Sequence, residues 1–129
     1  MQAEAVVSSI YQAFGRGDLP AILALLDDRV RWQFIGPRGL PITGSFVGRD
    51  AAAGWFGAVA AHEGVQAFEP REMIDAGRHV TVLGWERTQA LPAGAVFETE
   101  WAHVWTVEDG RVTRFWGIYD SEASANARR

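Results

Sequence analysis

The sequence predicts an α+β fold, chiefly because the spacing of its apolar residues changes along the chain. Up to about residue 62, apolar residues recur mostly at the three- and four-residue spacing of helices that bury one face, with two short strands between them. After Gly64 the spacing becomes two, and turn residues separate four long alternating segments. Helices followed by a meander of antiparallel strands indicate an α+β architecture. No repeat or linker divides the chain, so residues 1–129 are expected to form one domain.

Three helices are predicted in the first half of the chain. Residues 3–15 carry an apolar stripe that ends before two glycines. Asp18 is predicted to cap a second helix, Leu19–Leu26, which has a proline in its first turn. The third helix is expected over Ala51–His62, with Asp50 as its N-cap.

Six strands are predicted from β-type alternation. The first places Val30, Trp32 and Phe34 on one face. Short turns rich in glycine, proline and aspartate separate the last four strands and favour hairpins. The expected strands are Val30–Ile35, Ile42–Val47, Val65–Asp75, Arg78–Gln89, Val96–Val107 and Arg111–Tyr119.

Composition excludes several classes of function. A net charge of -4 without a long basic run argues against binding to nucleic acid or to anionic lipid. The absence of cysteine excludes disulfides, thiolate catalysis and cysteine metal sites. No apolar stretch approaches the ~20 residues of a membrane-spanning helix, and no signal peptide opens the chain. A cytoplasmic location is therefore expected.

Neither a metal site nor a nucleotide cofactor is predicted. His62, His79 and His103 lie on different predicted elements without the spacing of metal ligands. Glycine-rich phosphate-binding motifs and a local serine nucleophile motif are also missing from the sequence. Any catalysis is therefore expected to be cofactor-free.

Three segments resemble SnoaL-like proteins of the nuclear-transport-factor-2-like superfamily, which include ketosteroid-isomerase-like folds. They are YQAFGRGDLPAILALLDDRVRW, GPRGLPITGSFVGRDAAAGWF and EWAHVWTVEDGRVTRFWGIYD, which together cover much of the chain. The resemblance implies a cone-shaped barrel, in which a strongly curved, mostly antiparallel sheet packs on three N-terminal helices around an interior cavity. It also implies a homodimer formed through the sheet. Members of the superfamily include isomerases, dehydratases, polyketide cyclases and proteins without catalytic activity.

Catalytic residues of the ketosteroid isomerases do not carry over to this sequence. Those enzymes use an aspartate base with an oxyanion hole made by a tyrosine and a protonated aspartate. At the positions that match these roles, this chain has Ile10, then Phe34 or Gln33, and His103. The Asp-Arg-Asp set of limonene epoxide hydrolases is not recognisable either. One feature that matches SnoaL-like cyclases is a late aspartate, Asp120, which the resemblance implies as an acid/base.

The position of His103 depends on the turn at Asp109-Gly110, and two registers are possible. A two-residue turn pairs His103 with Trp116 and places Asp120 on the same face. A three-residue turn with a glycine bulge pairs His103 with Phe115 instead. Gly117 and Tyr119 then share its face, and Asp120 points away. The resemblance favours the second register.

Apolar residues around His103 predict a pocket. His103 is interpreted either as a core histidine or as a neutral acid/base in an apolar cavity, and Asp120 as its partner or as a surface carboxylate. Glu98 and Glu100 are expected on the opposite face, whereas Glu86 could face inward. The predicted ligand-binding residues are largely aromatic, namely Tyr11, Phe14, Trp32, Phe34, Trp55, Trp85, Trp101, Phe115 and Tyr119.

Two functions remain open on these grounds. The first is cofactor-independent proton transfer, of the isomerase, cyclase or dehydratase type, on a small apolar organic ligand, carried by His103 with Asp120 or Tyr11. The second is a non-catalytic small-molecule-binding or dimerisation module. The missing carboxylate at Phe34 weakens the enzyme hypothesis.

Overall fold

The computed structural model describes residues 2–129. One six-stranded sheet curls over the helices in the strand order β2-β1-β6-β5-β4-β3. All neighbouring strands are antiparallel except β1 and β6. The strands are β1 (Leu26–Ile35), β2 (Gly44–Val47), β3 (Glu63–Ala76), β4 (His79–Ala90), β5 (Val96–Glu108) and β6 (Arg111–Tyr119). The helices are α1 (Ala3–Arg16), α2 (Leu19–Ala24), α3 (Arg49–His62) and α4 (Ser121–Ala127).

Local chemistry explains where the helices begin and end. Helix α1 ends at Gly17, whose left-handed backbone (φ 69°) suits a residue without a side chain. The Asp18 carboxylate accepts a hydrogen bond from the Ala21 amide, which confirms its predicted role as the cap of α2. The prediction of Asp50 as a cap was wrong, because α3 begins at Arg49, two residues earlier than predicted, and Asp50 lies in its first turn.

The α+β fold with a strongly curved sheet is confirmed. The sheet is not closed, since β2 and β3 form its edges, and two bulges on β3 bend that strand. Its inner face packs against α1 and α3 and buries β-branched residues such as Val30, Val80 and Val112 completely. A fourth helix, α4, follows β6 and was not among the three predicted helices.

The register around His103 combines parts of both predicted alternatives. Asp109 and Gly110 form a two-residue turn with positive φ angles, and Glu108 pairs with Arg111. A bulge then shifts the pairing by one residue in β6, so that His103 lies opposite Gly117. His103 therefore shares the inner face with Phe115 and Tyr119, as the second alternative predicted, although neither predicted partner was correct.

Candidate functional site

A cavity lies between the inner face of the sheet and helices α1 and α3. Its volume is about 70 Å³, roughly half of the ~150 Å³ of an engineered protein cavity that binds benzene. Nine of the sixteen lining residues are aromatic. The residues lining the cavity are Ile10, Tyr11, Phe14, Trp32, Phe34, Ile42, Trp55, Phe56, Val59, Glu63, Val65, Phe68, Glu86, His103, Trp105 and Phe115.

A hydrogen-bonded triad of Tyr11, His103 and Trp105 lies at the cavity wall. The Tyr11 hydroxyl is 2.7 Å from His103 Nδ1, and Trp105 Nε1 donates to the same hydroxyl over 3.1 Å. An indole nitrogen can only donate, so Tyr11 must find another acceptor for its own proton. Within residues 2–129 that acceptor is His103 Nδ1. The network therefore indicates that His103 carries its proton on Nε2.

Aromatic rings enclose the His103 imidazole. Trp101 stacks on it with a centroid distance of 4.0 Å, and Phe115 is T-shaped to it with a centroid distance of 5.0 Å. Trp101 can take this position because its neighbour across the sheet is Gly84, where a side-chain carbon would lie 2.2 Å from the indole. Packing of the ring thus depends on a glycine in the adjacent strand.

Burial keeps His103 neutral. Its side chain is only 7% exposed, and desolvation lowers its pKa to about 3. Burial likewise raises the pKa of Tyr11, so the pair forms a neutral hydrogen bond near pH 7. A neutral imidazole with Nδ1 occupied is a weak base but can donate from Nε2. Nε2 has no hydrogen-bond partner in the part of the chain that the structure describes.

A second polar group faces the cavity from the end of α3 and from β4. Glu63 is 8% exposed and forms an ion pair with Arg128, which also donates to the carbonyl of His62. The Glu86 carboxylate accepts one hydrogen bond, 2.8 Å long, from Thr88. Burial raises the pKa of both glutamates, and the charge of Glu63 raises that of Glu86 further.

Comparison with known proteins identifies the family. The family model of the SnoaL-like domain matches residues 7–115, most of the sequence. The chain belongs to the SnoaL-like domain family. No curated protein matches it significantly.

Solved structures of NTF2-like proteins share the whole fold. A protein of unknown function from Burkholderia pseudomallei is 30% identical, with a TM-score of 0.85 over 97% of this chain and 95% of that one. One from Burkholderia xenovorans is 26% identical, with a TM-score of 0.89 over 98% and 95%. One from Burkholderia thailandensis is 25% identical, with a TM-score of 0.90 over 100% and 98%. The fold is also shared, more distantly, with proteins described as ketosteroid-isomerase-like and as SnoaL-like polyketide cyclase.

Seven of the predicted site residues meet at the cavity of this SnoaL-like protein. They come from α1, β1, α3, β5 and β6, and they are Tyr11, Phe14, Trp32, Phe34, Trp55, His103 and Phe115. Trp101 and Tyr119 lie one layer behind the cavity wall, where Trp101 stacks on His103 and Tyr119 packs against Phe34 at 4.8 Å.

Trp85 lies on the outer face of the sheet, and its predicted place in the pocket was wrong. The guanidinium groups of Arg71 and Arg87 lie over its ring at 5.2 and 5.9 Å. Side chains alternate along β4, and Val80 and Val82 point inward. The same alternation turns Glu86 inward and Trp85 outward.

Asp120 also lies apart from the cavity lining. It is exposed, and its carboxylate accepts a hydrogen bond from the Ala123 amide as the N-cap of α4. The residue stands just beyond the end of β6, where the bulged register turns it away from His103. The structure therefore gives Asp120 a capping role and does not bring it together with His103.

The sequence indicated the inward direction of Glu86 only weakly and gave no signal for Glu63. The alternation of Val80 and Val82 has the right phase for Glu86, so that signal was present. Glu63 faces the cavity because α3 ends and β3 begins there. Glu98 and Glu100 are exposed on the face opposite His103, as predicted.

Two further observations concern residues 2–129 as a whole. No three histidine, aspartate or glutamate side chains in this range are grouped so that they could hold a metal ion. No helix within it is long and apolar enough to cross a bilayer.

Proposed function

We propose that this SnoaL-like protein binds a small, largely apolar organic molecule in the aromatic cavity, with His103 as the polar group that contacts it. The observation that carries the proposal is the hydrogen bond from Tyr11 to Nδ1 of His103. This bond holds the ring in one tautomer and leaves its Nε2–H as a donor. Clefts lined by aromatic side chains with a few placed polar groups are the usual form of small-molecule sites.

Chemistry at this site would use His103 as a neutral donor. A preorganised N–H in a water-poor cavity stabilises negative charge that develops on a carbonyl oxygen. Proton transfer at the carbon next to that carbonyl, as in isomerisation, cyclisation or dehydration, needs this stabilisation and no cofactor. With a pKa of about 3, His103 would not itself take up the proton near pH 7, so a water molecule or hydroxide ion from solvent would have to accept it.

The size of the cavity limits the ligand. Pockets for drug-sized molecules usually have volumes of about 300–1,000 Å³. The volume of the cavity here is about 70 Å³, so a molecule of a few heavy atoms fits without rearrangement. Phe14 borders this cavity and two surface clefts beside it.

Binding of butan-2-one to the wild type and to His103→Gln tests the proposal. The tryptophans Trp32, Trp55 and Trp105 line the cavity, so ligand entry changes their fluorescence. We expect saturable binding, weakened about tenfold in His103→Gln, because the flexible glutamine amide does not hold an N–H at the position of His103 Nε2. Unchanged fluorescence with both proteins would contradict a ligand-binding cavity. Equal affinities would contradict the role of His103.

A non-catalytic binding module is the second candidate, and the residue at Phe34 favours it. The side chain there is an aromatic ring, T-shaped to His103 at 6.3 Å, and not a carboxylate. Exchange of the α-protons of butan-2-one with D2O, followed by NMR, separates the two functions. Exchange above the buffer rate that His103→Gln abolishes indicates catalysis, whereas binding without exchange indicates a binding module.

We further propose that two copies of the chain associate through the outer face of the sheet. Leu83, Ala102 and Ile118 lie side by side across β4, β5 and β6, and Ile35 continues the row on β1. Leu83 and Ile118 are 38% and 43% exposed, so the row is an apolar strip on the surface. Sedimentation analysis should give a dimer that Ile118→Glu dissociates. Val47→Glu, at an exposed edge, is the control, and a monomeric wild type would contradict the proposal.

A further inference from the structure

We propose that the Glu86 end of the cavity is a second binding position, separate from the His103 donor, for a small organic cation, an alkylamine or alkylammonium ion, whose charged nitrogen the Glu86 carboxylate binds. This inference adds a second class of ligand and rests on the proposed binding function of the cavity. It depends on the position of Glu86, on the charges around the cavity and on its dimensions.

Glu86 lies at the end of the cavity away from His103. On the sheet it is flanked by Phe68 of β3 and Thr99 of β5, four residues along β5 from His103. At ~3.3 Å per residue, the backbone positions of Thr99 and His103 are about 13 Å apart, and Glu86 lies beside Thr99. Thr88 is the one hydrogen-bond partner of the Glu86 carboxylate within residues 2–129, and it contacts only Oε2. The second oxygen therefore remains available to a ligand.

The charges around the cavity favour a cation over an anion. In the described part of the chain, no lysine or arginine side chain lines the cavity, and the one histidine, His103, is neutral. Arg128 does not line the cavity, and its guanidinium group forms an ion pair with Glu63. The negative charge of Glu86 has no such counterion, and a buried carboxylate without one is costly. A cationic nitrogen would supply it, whereas a carboxylate ligand would be repelled.

Aromatic rings provide the second attraction. Phe68 is the cross-strand neighbour of Glu86, and Phe14 packs against it at a centroid distance of 5.1 Å. Ring faces attract alkylammonium ions by about 0.5–2 kcal/mol each, most strongly where water is excluded. A carboxylate beside aromatic walls therefore selects for an alkylated cation over a neutral molecule of the same shape.

Protonation of Glu86 gives this binding a pH dependence. Burial and the charge of Glu63 raise the pKa of Glu86, so acid converts it to a neutral carboxyl group. Charged or titratable groups near it are Glu63, Arg128 and Tyr119, and His103 lies farther along the cavity. A bound cation stabilises the carboxylate, so affinity for a permanent cation should rise as the pH rises through the pKa of Glu86.

Three probes of equal heavy-atom number and similar shape test the proposal. tert-Butylammonium combines a positive charge with hydrogen-bond donors, tetramethylammonium has the charge alone, and tert-butanol has a donor alone. Tryptophan fluorescence at about pH 8 should show both cations binding at least about tenfold more tightly than tert-butanol. Tighter binding of tert-butanol would overturn the proposal and indicate a hydroxyl ligand.

Two variants assign the effect to Glu86. In Glu86→Gln the cations and tert-butanol should bind with about equal affinity, whereas Glu98→Gln, whose side chain is exposed and faces outward, should keep the preference for cations.

If Glu86→Gln does not fold, the wild type provides the test. Acidification must then remove its affinity for tetramethylammonium, and an affinity that stays constant with pH would overturn the proposal. Equal affinities for all three probes would contradict this inference alone. If neither butan-2-one nor any of the three probes binds, the proposed function is contradicted as well.

Discussion

The Tyr11 hydroxyl lies 2.7 Å from Nδ1 of His103, and this hydrogen bond joins α1 to the middle of β5. The two residues are separated by 92 positions in the sequence. Their rings are also nearly parallel, with an angle of 8° between planes. The contact thus ties the helical layer to the sheet at the cavity wall and sets the direction in which the imidazole can act.

Replacing Tyr11 with phenylalanine should destabilise the protein by about 1–3 kcal/mol. The change leaves buried Trp105 Nε1 and His103 Nδ1 without their partner. Tyr119→Phe is the matched control, because the Tyr119 hydroxyl is buried without a hydrogen bond of ordinary geometry within residues 2–129. Urea unfolding should show little loss, or a gain, for Tyr119→Phe. Equal losses in both variants would show that the Tyr11 hydrogen bonds contribute no stability.

Acid should destabilise the wild type more than His103→Gln. The pKa of His103 is about 3 when folded and about 6.5 when unfolded, so between these values the unfolded chain binds more protons. Stability from this source is complete above about pH 6.5 and declines as the pH falls towards 3. From about pH 7 to 4.5, the wild type should lose about 2–3 kcal/mol more than the variant. Equal pH profiles in calorimetry would mean that His103 titrates normally.

Alanine at Gly84 should disturb the site through Trp101. Its side-chain carbon would lie 2.2 Å from the indole, so Trp101 must move off the imidazole that it stacks on. We expect a loss of about 1–3 kcal/mol and weaker ligand binding. Gly57→Ala is the control, since space is open around this helical glycine and alanine should stabilise α3 by about 0.5–1 kcal/mol. A neutral Gly84→Ala variant with normal binding would show that the stack is dispensable.

Asp120 should affect stability without affecting the ligand. Asp120→Ala removes the cap of α4 and should cost about 1 kcal/mol, whereas Asp120→Asn should cost little because asparagine also caps helices. Ligand affinity should be the same in both variants and in the wild type. A loss of affinity or of proton exchange in Asp120→Asn would restore a role for this residue in the site.

Much of the fold was predictable because apolar spacing is a local signal. The bounds of Arg111–Tyr119 were predicted correctly, and strict alternation placed Trp32 and Phe34 on the inner face. The start of β1 was missed. Residues 26–29 belong to the strand, but the polar residues 27–29 interrupt the apolar alternation that predicts one. The short helix α4 was also missed, because seven polar or small residues carry little periodic signal.

The site was predictable only in part, because it depends on register and on distant contacts. His103 was placed on the inner face, yet the bulge in β6 that decides the position of Asp120 leaves no clear pattern in the sequence. Trp85 was predicted to line the pocket because it is aromatic, although the alternation of side chains along β4 points it outward. The contacts of Tyr11 with His103 and of Arg128 with Glu63 join residues far apart in sequence.

The most direct test of a neutral, ligand-contacting His103 is NMR of its imidazole nitrogens, assigned by comparison with His103→Gln. Between about pH 5 and 8, we expect a neutral ring with the proton on Nε2 and no titration. Adding butan-2-one should shift the Nε2 resonance and leave Nδ1, bound to Tyr11, nearly unchanged. A ring that titrates near its ordinary pKa of about 6.5 and ignores the ligand would contradict the account.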